Sequence, residues 1–294
     1  VPNAFVIDKR GRAPCKDACP ISQSAQGYVA LLRQKKYDAA YRVIKDRNPF
    51  PGICGRVCNH RCEDSCTRGQ VDQAVSIAAL KRFIADQYYA TEHEPPTPCE
   101  RTKEEKVAII GSGPAGLTAA QDLAKMGYGV TVFEALPVAG GMMRVGIPAY
   151  RLPRKLVERE IADIEALGVE IRTGVRIGKD LTLDQLRAQG YSAIFIAIGA
   201  HKGQRLGVEG EDLKEVMEAT NFLREVNLGQ RSQVKGRVVV IGGGNTAIDA
   251  ARTALRLGAE KVSLLYRRTR AEMPALASEV DAAEQEGVNI GLLI

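Results

Sequence analysis

The N-terminal third of the chain has apolar residues at helical spacing, and the remainder alternates between strand and helix patterns. Apolar residues recur every three or four positions in residues 28–44 (YVALLRQKKYDAAYRVI) and again in 74–89, which predicts amphipathic helices. Residues 91–106 (TEHEPPTPCERTKEEK) are polar, charged and rich in proline, as is typical of a linker. The alternation after them predicts a parallel sheet with helices on its faces.

Two segments of this second part follow the same plan. Residues 106–135 predict a strand, a glycine turn, a helix and a second strand that ends in Glu134. Residues 237–268 repeat the plan, but their second strand ends in Arg267 and Arg268. We therefore predict two dinucleotide-binding units, the second of which begins inside an insertion after the first.

The first glycine turn has the form G-x-G-x-x-G, with Gly111, Gly113 and Gly116 directly after an apolar strand. Gly111 permits the tight turn, Gly113 lets the backbone approach a pyrophosphate, and Gly116 allows close helix–strand packing. The helix N-terminus adds N–H groups and a partial positive charge. Glu134 lies where a carboxylate can accept hydrogen bonds from a ribose. The alternative is a glycine turn without a ligand.

The second turn has the form G-x-G-x-x-A, with Gly242 and Gly244, and basic residues replace the acid. Arg267, Arg268 and Arg270 can bind a 2′-phosphate, which a carboxylate would repel. This predicts NADPH over NADH, unless the arginines only cover a solvated strand end. An acid at the ribose of the first unit and arginines at the ribose of the second together imply one tightly held flavin and one exchangeable nicotinamide.

Composition and charge exclude several other classes of protein. The 294 residues are 45% hydrophobic, enough for two or more cores, and no apolar run reaches the roughly 18–20 residues of a membrane helix. Residues 1–12 have no signal-peptide core, so we expect a cytoplasmic location. The net charge of +6 is spread along the chain, so nucleic-acid binding is not expected, whereas an acidic protein partner would suit it. The missing initiator Met and the ending at 289–294 suggest a fragment, or a fold that another chain completes.

Six of the seven cysteines lie in residues 1–90, and four of them follow at a four-residue step: Cys54, Cys58, Cys62 and Cys66. Without an export signal, a disulfide framework is not expected. Zinc sites favour paired cysteines separated by a longer loop. Four evenly stepped thiols on one continuous helix could not converge, so the chain must unwind around Gly55 or Asn59, or send alternate thiols to different places.

An iron–sulfur cluster accounts for the cysteines better than zinc or buried thiols. Clusters accept thiolates from distant segments, and a Cys-Pro pair after a short cysteine spacing, as in Cys15, Cys19 and Pro20, recurs at such sites. Cys99, in the predicted linker, is expected to be a free surface thiol.

The motifs APCKDACP, CGRVC, IGSGPAGL, GGMMRVGIPAYRLP, IFIAIGA, IGGGNTAID and YRRTRAEMPA occur in this order along nearly the whole chain. In this the chain resembles the two-dinucleotide-binding flavoprotein reductases, above all the glutamate synthase small subunit and the N-terminal half of dihydropyrimidine dehydrogenase. The resemblance implies an α/β chain in which an all-helical iron–sulfur domain precedes two Rossmann-like domains. We predict the iron–sulfur domain at 1–95, a linker at 96–105, an FAD domain at 106–200 and an incomplete NAD(P)H domain at 201–294.

The resemblance also implies cofactor contacts. The FAD set comprises the first turn, its acid and part of the loop 140–153, which would wrap the flavin: Gly111, Ser112, Gly113, Pro114, Ala115, Gly116, Glu134, Gly141, Met142, Arg144 and Arg151. The NADPH set comprises Gly242, Gly243, Gly244, Asn245, Thr246, Arg267, Arg268 and Arg270. Residues 194–200 resemble the strand that crosses between the two domains.

In the relatives the counterparts of Cys15 and Cys66 join an upstream cysteine pair on one [4Fe–4S] cluster. The counterparts of Cys19, Cys58 and Cys62 join a glutamine or glutamate on another. Here the upstream pair is absent and Lys81 occupies the Gln/Glu position, where an ammonium cannot be a ligand. We expect one cluster on Cys19, Cys58 and Cys62, with a fourth thiolate from Cys54, Cys66 or Cys15. A second cluster would need ligands from upstream residues.

These parts predict a module that passes electrons from NADPH through FAD to a [4Fe–4S] cluster and on to a partner subunit or domain. No residue is typical of an acid, base or nucleophile for a separate substrate, so a larger complex is expected. One alternative is a non-enzymatic assembly scaffold that retains the nucleotide folds and a structural cluster. A flavin disulfide reductase is disfavoured because the chain has no C-x-x-C.

Overall fold

The computed structural model describes residues 11–203 and 205–294, so most of the N-terminal segment considered for a signal peptide lies outside it. The chain divides into two compact units, Val1–Pro95 and Pro96–Ile294. Among the described residues, no helix combines the length and the apolar character needed to cross a membrane.

The first unit is helical where it is described, as expected. Its helices are α1 (Pro14–Asp17), α2 (Ala25–Arg33), α3 (Tyr37–Lys45), α4 (Pro51–Val57), α5 (Arg61–Asp64) and α6 (Ile77–Tyr89), with a 3-10 turn at Thr67–Gln70. The apolar pattern of residues 28–44 forms two helices, because Lys35 adopts a left-handed φ of 59° between α2 and α3. A core of Ala25, Tyr28, Ala40, Tyr41, Ile44, Ile77 and Ile84 joins α2, α3 and α6, and Cys15 and Cys62 pack against it.

Helix α4 packs closely on α6. A Cβ on Gly55 would lie 2.7 Å from Arg82 Cα, so only glycine permits this approach. Arg56 also donates to Asp86 across the same pair of helices, at 2.7 Å. Gly55 therefore serves helix packing, and α4 continues through it without unwinding.

The second unit contains two parallel sheets. The first has strands β1 (Lys106–Ile110), β2 (Gly129–Phe133), β3 (Glu170–Arg172) and β4 (Tyr191–Ile196) in the order β3-β2-β1-β4. The helices between them are α7 (Pro114–Lys125), α8 (Met142–Val145), α9 (Arg154–Glu165) and α10 (Leu183–Ala188). Placing β1 between β2 and β4 brings the carboxyl ends of these strands together at the glycine turn that follows β1.

The second sheet has strands β5 (Arg237–Ile241), β6 (Lys261–Tyr266) and β7 (Asn289–Leu292) in sequence order. Its helices are α11 (Ala219–Asn227), α12 (Asn245–Arg256) and α13 (Ala277–Gln285), with a 3-10 turn at Arg270–Glu272. Helix α12 is central to its core, with Ala247, Ile248, Ala250, Ala251 and Ala254 buried. The predicted α/β class, with helical and dinucleotide-binding parts in this order, is confirmed.

Residues predicted as a linker pack on the first sheet's half of the second unit. The backbone N–H of Cys99 donates to Leu167 O at 3.0 Å, and that of Lys103 donates to Gly127 O at 3.0 Å. Cys99 is half-buried, so its expected place on an open surface is only partly met.

Candidate cofactor sites

The first glycine turn has the geometry that its spacing predicts. Gly111 has a φ of 107°, and a Cβ there would collide with the carbonyl oxygen of Ala197. A Cβ on Gly116 would collide with Gly111 O, which explains the close packing of α7 on β1. At Gly113, by contrast, the Cβ position has no heavy atom within 4 Å. The turn therefore leaves open space beside the α7 N-terminus, where Pro114 and Ala115 are exposed and the helix favours an anion.

Glu134 is fixed by the turn that it faces. Its Oε2 accepts hydrogen bonds from the Ser112 N–H at 3.0 Å and from Ser112 Oγ at 2.5 Å. Its Oε1 accepts from the Leu136 N–H at 2.8 Å. Both Ser112 and Glu134 are buried. A carboxylate has about four acceptor positions, so three protein donors leave room for one further donor such as a ribose hydroxyl.

The loop 140–153 begins directly against the first glycine turn. Gly140 N–H lies 3.0 Å from Ser112 Oγ and 3.1 Å from Ser112 O. Gly141 has φ 52° and ψ −139°, and a Cβ there would lie 2.7 Å from Gly113 Cα. The paired glycines are thus required for this approach, as the sequence predicts. Met142 is half-buried at the start of α8, and Arg144 pairs with Glu158 at 3.2 Å.

Two residues outside the predicted set hold this loop in place. Arg154 donates to the carbonyl oxygens of Met143 and Ile147, at 3.3 and 2.7 Å. Asn227 donates to Val145 O at 2.8 Å. Burial lowers the pKa of Arg154 to about 10. Sequence spacing could not identify these two residues, because each acts on carbonyl groups that no side-chain pattern records.

Arg151, predicted as a flavin contact, lies in an ion network with the second dinucleotide unit. Its Nη1 donates to both oxygens of Asp249 on α12, at 2.8 and 3.0 Å, and its Nε lies 3.6 Å from Glu279. Arg252 pairs with Glu279 and Glu286 in the same network. Burial raises the pKa of Asp249 to about 6, against the opposing effect of Arg151. The network joins the loop 140–153 to α12 and α13.

The second glycine turn, like the first, leaves space beside the N-terminus of the helix that follows it. Gly242 has a φ of 135°, and a Cβ on Gly243 would lie 2.6 Å from the Tyr266 ring. The nearest heavy atom to the Cβ position of Gly244 is 3.9 Å away, which leaves space beside the N-terminus of α12. Asn245 Oδ1 accepts from the Leu276 N–H at 3.2 Å, and Thr246 is exposed.

The three predicted phosphate-binding arginines do not behave alike. Arg270 pairs with Asp281 at 2.7 Å and with Glu284 at 2.8 Å, and hydrogen bonds to these carboxylates raise its pKa. Arg268 is exposed, with its nearest carboxylate, Glu272, at 4.0 Å. Arg267 is exposed at the end of β6. Arg267 and Arg268 are therefore exposed, whereas carboxylates of α13 pair with Arg270.

The evenly spaced cysteines are separated by a break in the helix. Helix α4 ends at Val57, Cys58 is extended with φ −67° and ψ 145°, and His60 is left-handed with φ 53°. The chain therefore unwinds around Asn59, one of the two positions predicted, and not at Gly55. As a result Cys54 and Cys62 lie on different helices.

The pKa values of Cys15 and Cys62 are raised in part by neighbouring cysteines. Burial raises the pKa of Cys15, and nearby Cys66 and Cys19 raise it further. Burial likewise raises the pKa of Cys62, with added contributions from Cys58 and Cys19. Cys19 therefore lies near both Cys15 and Cys62. Across residues 11–203 and 205–294, no three His, Cys, Asp or Glu side chains meet in metal-binding geometry.

Cys54 has different surroundings. Its Sγ lies 3.6 Å from Asn48 Oδ1, to which the thiol donates. Spacing alone could not distinguish Cys54 from the other thiols at the same step.

Cys66 and Lys81 add two features that suit thiolate ligands. Backbone N–H groups of Val75, Arg68 and Gly69 lower the pKa of the Cys66 thiol. An open cavity of about 570 Å³ lies beside it, lined by Glu63, Asp64, Ser65, Cys66, Gly69, Gln70 and Ala74. Lys81 is only 6% exposed, and its charge acts to lower the pKa of Cys62 against burial. Fixed donors and a buried cation both stabilise negative charge on sulfur, so the charge around these thiols suits an anionic cluster.

The family models match both parts of the chain. Residues 105–292 match pyridine nucleotide-disulphide oxidoreductase. Residues 9–93 match domain II of dihydropyrimidine dehydrogenase, a 4Fe-4S cluster domain. These matches confirm the resemblance, with FAD and a nicotinamide nucleotide as cofactors of the second unit and a [4Fe–4S] cluster in the first.

Curated relatives match almost the whole chain. The beta subunit of an NADP(+)-dependent formate dehydrogenase from Moorella thermoacetica is 46% identical over 96% of this chain and 43% of its own length. The small chain of glutamate synthase [NADPH] from Halomonas elongata is 36% identical, over 95% of this chain and 61% of its own. Subunit PreT of an NAD-dependent dihydropyrimidine dehydrogenase from Salmonella typhimurium is 36% identical, over 95% and 67%.

Each of these relatives is named as one subunit of an enzyme, and the chain spans less than half the length of the Moorella protein. With most of its second unit matched by a single family model, the chain belongs to the pyridine nucleotide-disulphide oxidoreductase family.

Proposed function

We propose that this chain forms an electron-entry module, in which electrons from NADPH pass through FAD to a [4Fe–4S] cluster and then to a partner subunit or domain. The observation that carries the proposal is a pair of open glycine turns, one beside a carboxylate that can bind ribose hydroxyls and the other in a unit with arginines that can bind a 2′-phosphate. Gly113 and Gly244 each leave space at a helix N-terminus. One turn faces the buried carboxylate of Glu134, whereas β6 of the other unit is followed directly by Arg267 and Arg268.

The second unit is proposed to bind NADPH through Arg267 and Arg268. Both are exposed, and a guanidinium recognises a phosphate in fork geometry, which explains a preference for the 2′-phosphate. The names of the relatives differ on this point, since the Salmonella protein is named NAD-dependent. The proposed preference for NADPH therefore rests on Arg267 and Arg268 of this chain.

For the cluster we propose Cys19, Cys58 and Cys62 as three of the ligands. The fourth is proposed to be Cys66 or Cys15, because Cys54 is directed to Asn48 Oδ1. Cys66 is favoured, since three backbone N–H groups already stabilise its thiolate. When bound, the cluster supplies one-electron transfer, and the protein's contribution is to hold the thiolates and to set the charge around them.

The final acceptor is proposed to lie on a partner in a larger, cytoplasmic complex. The relatives' names are those of single subunits, and their partners differ in chemistry from formate oxidation to glutamate synthesis. A shared module that exchanges electrons between a nicotinamide nucleotide and different partners, in the direction that each enzyme requires, accounts for that range.

Cofactor analysis of anaerobically purified protein tests this proposal. We expect FAD, iron and acid-labile sulfide in the same preparation, with the flavin absorbance lost on addition of NADPH. Iron and sulfide without flavin would support an assembly scaffold instead. Zinc in place of iron would overturn the cluster assignment.

A further inference from the structure

Tyr28 has the largest fully buried side chain among the described residues of the first unit. It lies in the first turn of α2 and is 0% exposed. Its hydroxyl oxygen is inaccessible, and no described residue provides a hydrogen-bond partner for it. An unpaired buried hydroxyl is costly, because it forgoes water without gaining a replacement. Such a group calls for an explanation.

A second tyrosine in the same core shows the usual solution. Tyr41 is 4% exposed, and its hydroxyl lies 3.0 Å from that of Tyr89. The two residues are therefore comparable in burial and differ in what surrounds the hydroxyl.

The surroundings of Tyr28 are thiols from two separate segments. Burial is the main cause that raises its pKa, and four cysteines add to the effect: Cys62, Cys19, Cys15 and Cys58, in decreasing order. Cys15 and Cys62 also pack against the core cluster that contains Tyr28. Sulfur atoms of these two segments are therefore the acceptors that this part of the core can offer to the unpaired Tyr28 O–H when a cluster is bound.

We infer that Tyr28 is a positioning residue of the iron–sulfur site, whose hydroxyl donates a hydrogen bond to a sulfur atom of the bound cluster or of its cysteine ligands. The inference rests on the cluster part of the proposed function. Hydrogen bonds to cluster sulfurs stabilise the more negative, reduced state and so raise the reduction potential. Tyr28 therefore makes the cluster easier to reduce.

The test compares reduction potentials of clusters in anaerobically purified wild-type, Tyr28→Phe and Tyr41→Phe proteins, measured by redox titration monitored by EPR. We expect all three to contain equal iron and sulfide. In Tyr28→Phe the equilibrium constant for reduction should fall about tenfold, a shift of about 59 mV to lower potential for one electron. Tyr41→Phe should leave the potential unchanged. Equal potentials in loaded wild-type and Tyr28→Phe proteins, or equal shifts in both variants, would overturn the inference.

A second substitution keeps the test decisive if Tyr28→Phe loses its cluster. Replacing Tyr28 by 3-fluorotyrosine retains the hydroxyl and makes it a stronger donor, so the potential should rise above that of the wild type. An unchanged or lower potential would contradict the inference. Wild-type protein without iron and sulfide would overturn the cluster assignment as well, whereas an unchanged potential in loaded protein would overturn only the role of Tyr28.

Discussion

Arg151 and Asp249, 98 residues apart in sequence, form a nearly buried ion pair in which the guanidinium donates to both carboxylate oxygens at 2.8 and 3.0 Å. The pair joins the loop 140–153 of the first dinucleotide unit to α12 of the second. Both side chains are at most 10% exposed. A ligand that moves either element must therefore act on the other.

Asp249 gives a prediction about pH. Its pKa is raised from 3.8 to about 6 by burial, so the folded state binds more protons than the unfolded state between these values. Its contribution to the free energy of unfolding therefore falls as pH rises from about 4 to about 6. The amide that replaces the carboxyl in Asp249→Asn does not titrate. As pH rises from about 4 to about 6, the free energy of unfolding of the variant should therefore increase relative to that of the wild type. The gain should be at most about 3 kcal/mol, at about 1.36 kcal/mol per pH unit.

Denaturant unfolding at several pH values measures this difference. Glu158→Gln is the matched control, because it also removes a carboxylate from an arginine pair, but at a side chain that is 58% exposed. A pH trend of the same size in both variants would show that burial of Asp249 is not its cause. A relative loss of stability by Asp249→Asn with rising pH would mean that attraction to Arg151 outweighs burial.

Gly141 should be required for retention of FAD. Alanine there would adopt a backbone conformation with φ 52° and place its Cβ 2.7 Å from Gly113 Cα, so the loop or the turn must shift. Strain of about 1–3 kcal/mol is expected, which corresponds to a loss of flavin affinity of about 5-fold to 150-fold. Fluorescence of released flavin measures this loss.

Gly168→Ala is the control for Gly141→Ala. Gly168 also has a positive φ, of 95°, but its Cβ position has no neighbour within 4 Å. The variant should carry backbone strain and still retain flavin as the wild type does. Equal flavin loss in both variants would assign the effect to general destabilisation.

Arg267 and Arg268 should determine the choice of nicotinamide. Replacing both by alanine removes two guanidinium groups, each worth about 1.5–3 kcal/mol in a charged hydrogen bond, so the KM for NADPH should rise at least about tenfold. The KM for NADH should change little. Steady-state reduction of an artificial acceptor with each nucleotide provides the comparison.

Arg270→Ala separates the roles of the three arginines. Arg270 is paired with Asp281 and Glu284 on α13, so its loss should leave the NADPH to NADH ratio unchanged. If Arg270→Ala reduces the preference for NADPH as much as the double variant does, the ion pairs must open when the nucleotide binds.

Lys81 should influence the cluster through its charge. Its ammonium is buried beside Cys62, and a fixed cation stabilises the additional electron of a reduced cluster. Lys81→Met, of similar length but neutral, should lower the reduction potential by about 59 mV, a tenfold change for one electron. Arg82→Met, at an adjacent and 56% exposed side chain, is the control and should have little effect. A loaded Lys81→Met protein with the wild-type potential would contradict this role.

Local sequence patterns predicted the fold and the backbone of both nucleotide turns because these depend on short-range geometry. Gly111, Gly116 and Gly141 each occupy positions where a Cβ would collide with neighbouring backbone, and such constraints are visible in the spacing of glycines. Evenly stepped thiols on one helix cannot converge, which predicts unwinding at Gly55 or Asn59 or thiols sent to different places, and the structure has the break near Asn59.

Side-chain partners from distant segments could not be predicted in the same way. Arg151 and Arg270 were assigned to ligands by motif, yet their carboxylate partners come from α12 and α13. Tyr28 is indistinguishable in sequence from any core residue of an amphipathic helix. Only the packed core of α2, α3 and α6, with Cys15 and Cys62 against it, reveals that the Tyr28 hydroxyl lacks a partner among the described residues.

The most direct test of the proposed function is an anaerobic titration of the purified chain with NADPH, followed by absorbance and EPR spectroscopy on the same samples. The account predicts loss of oxidised flavin absorbance together with the EPR signal of a reduced [4Fe–4S] cluster. Flavin-depleted Gly141→Ala protein should show no cluster signal with NADPH but a full signal with dithionite. A cluster in the wild type that dithionite reduces and NADPH leaves oxidised would contradict the proposed path of electrons.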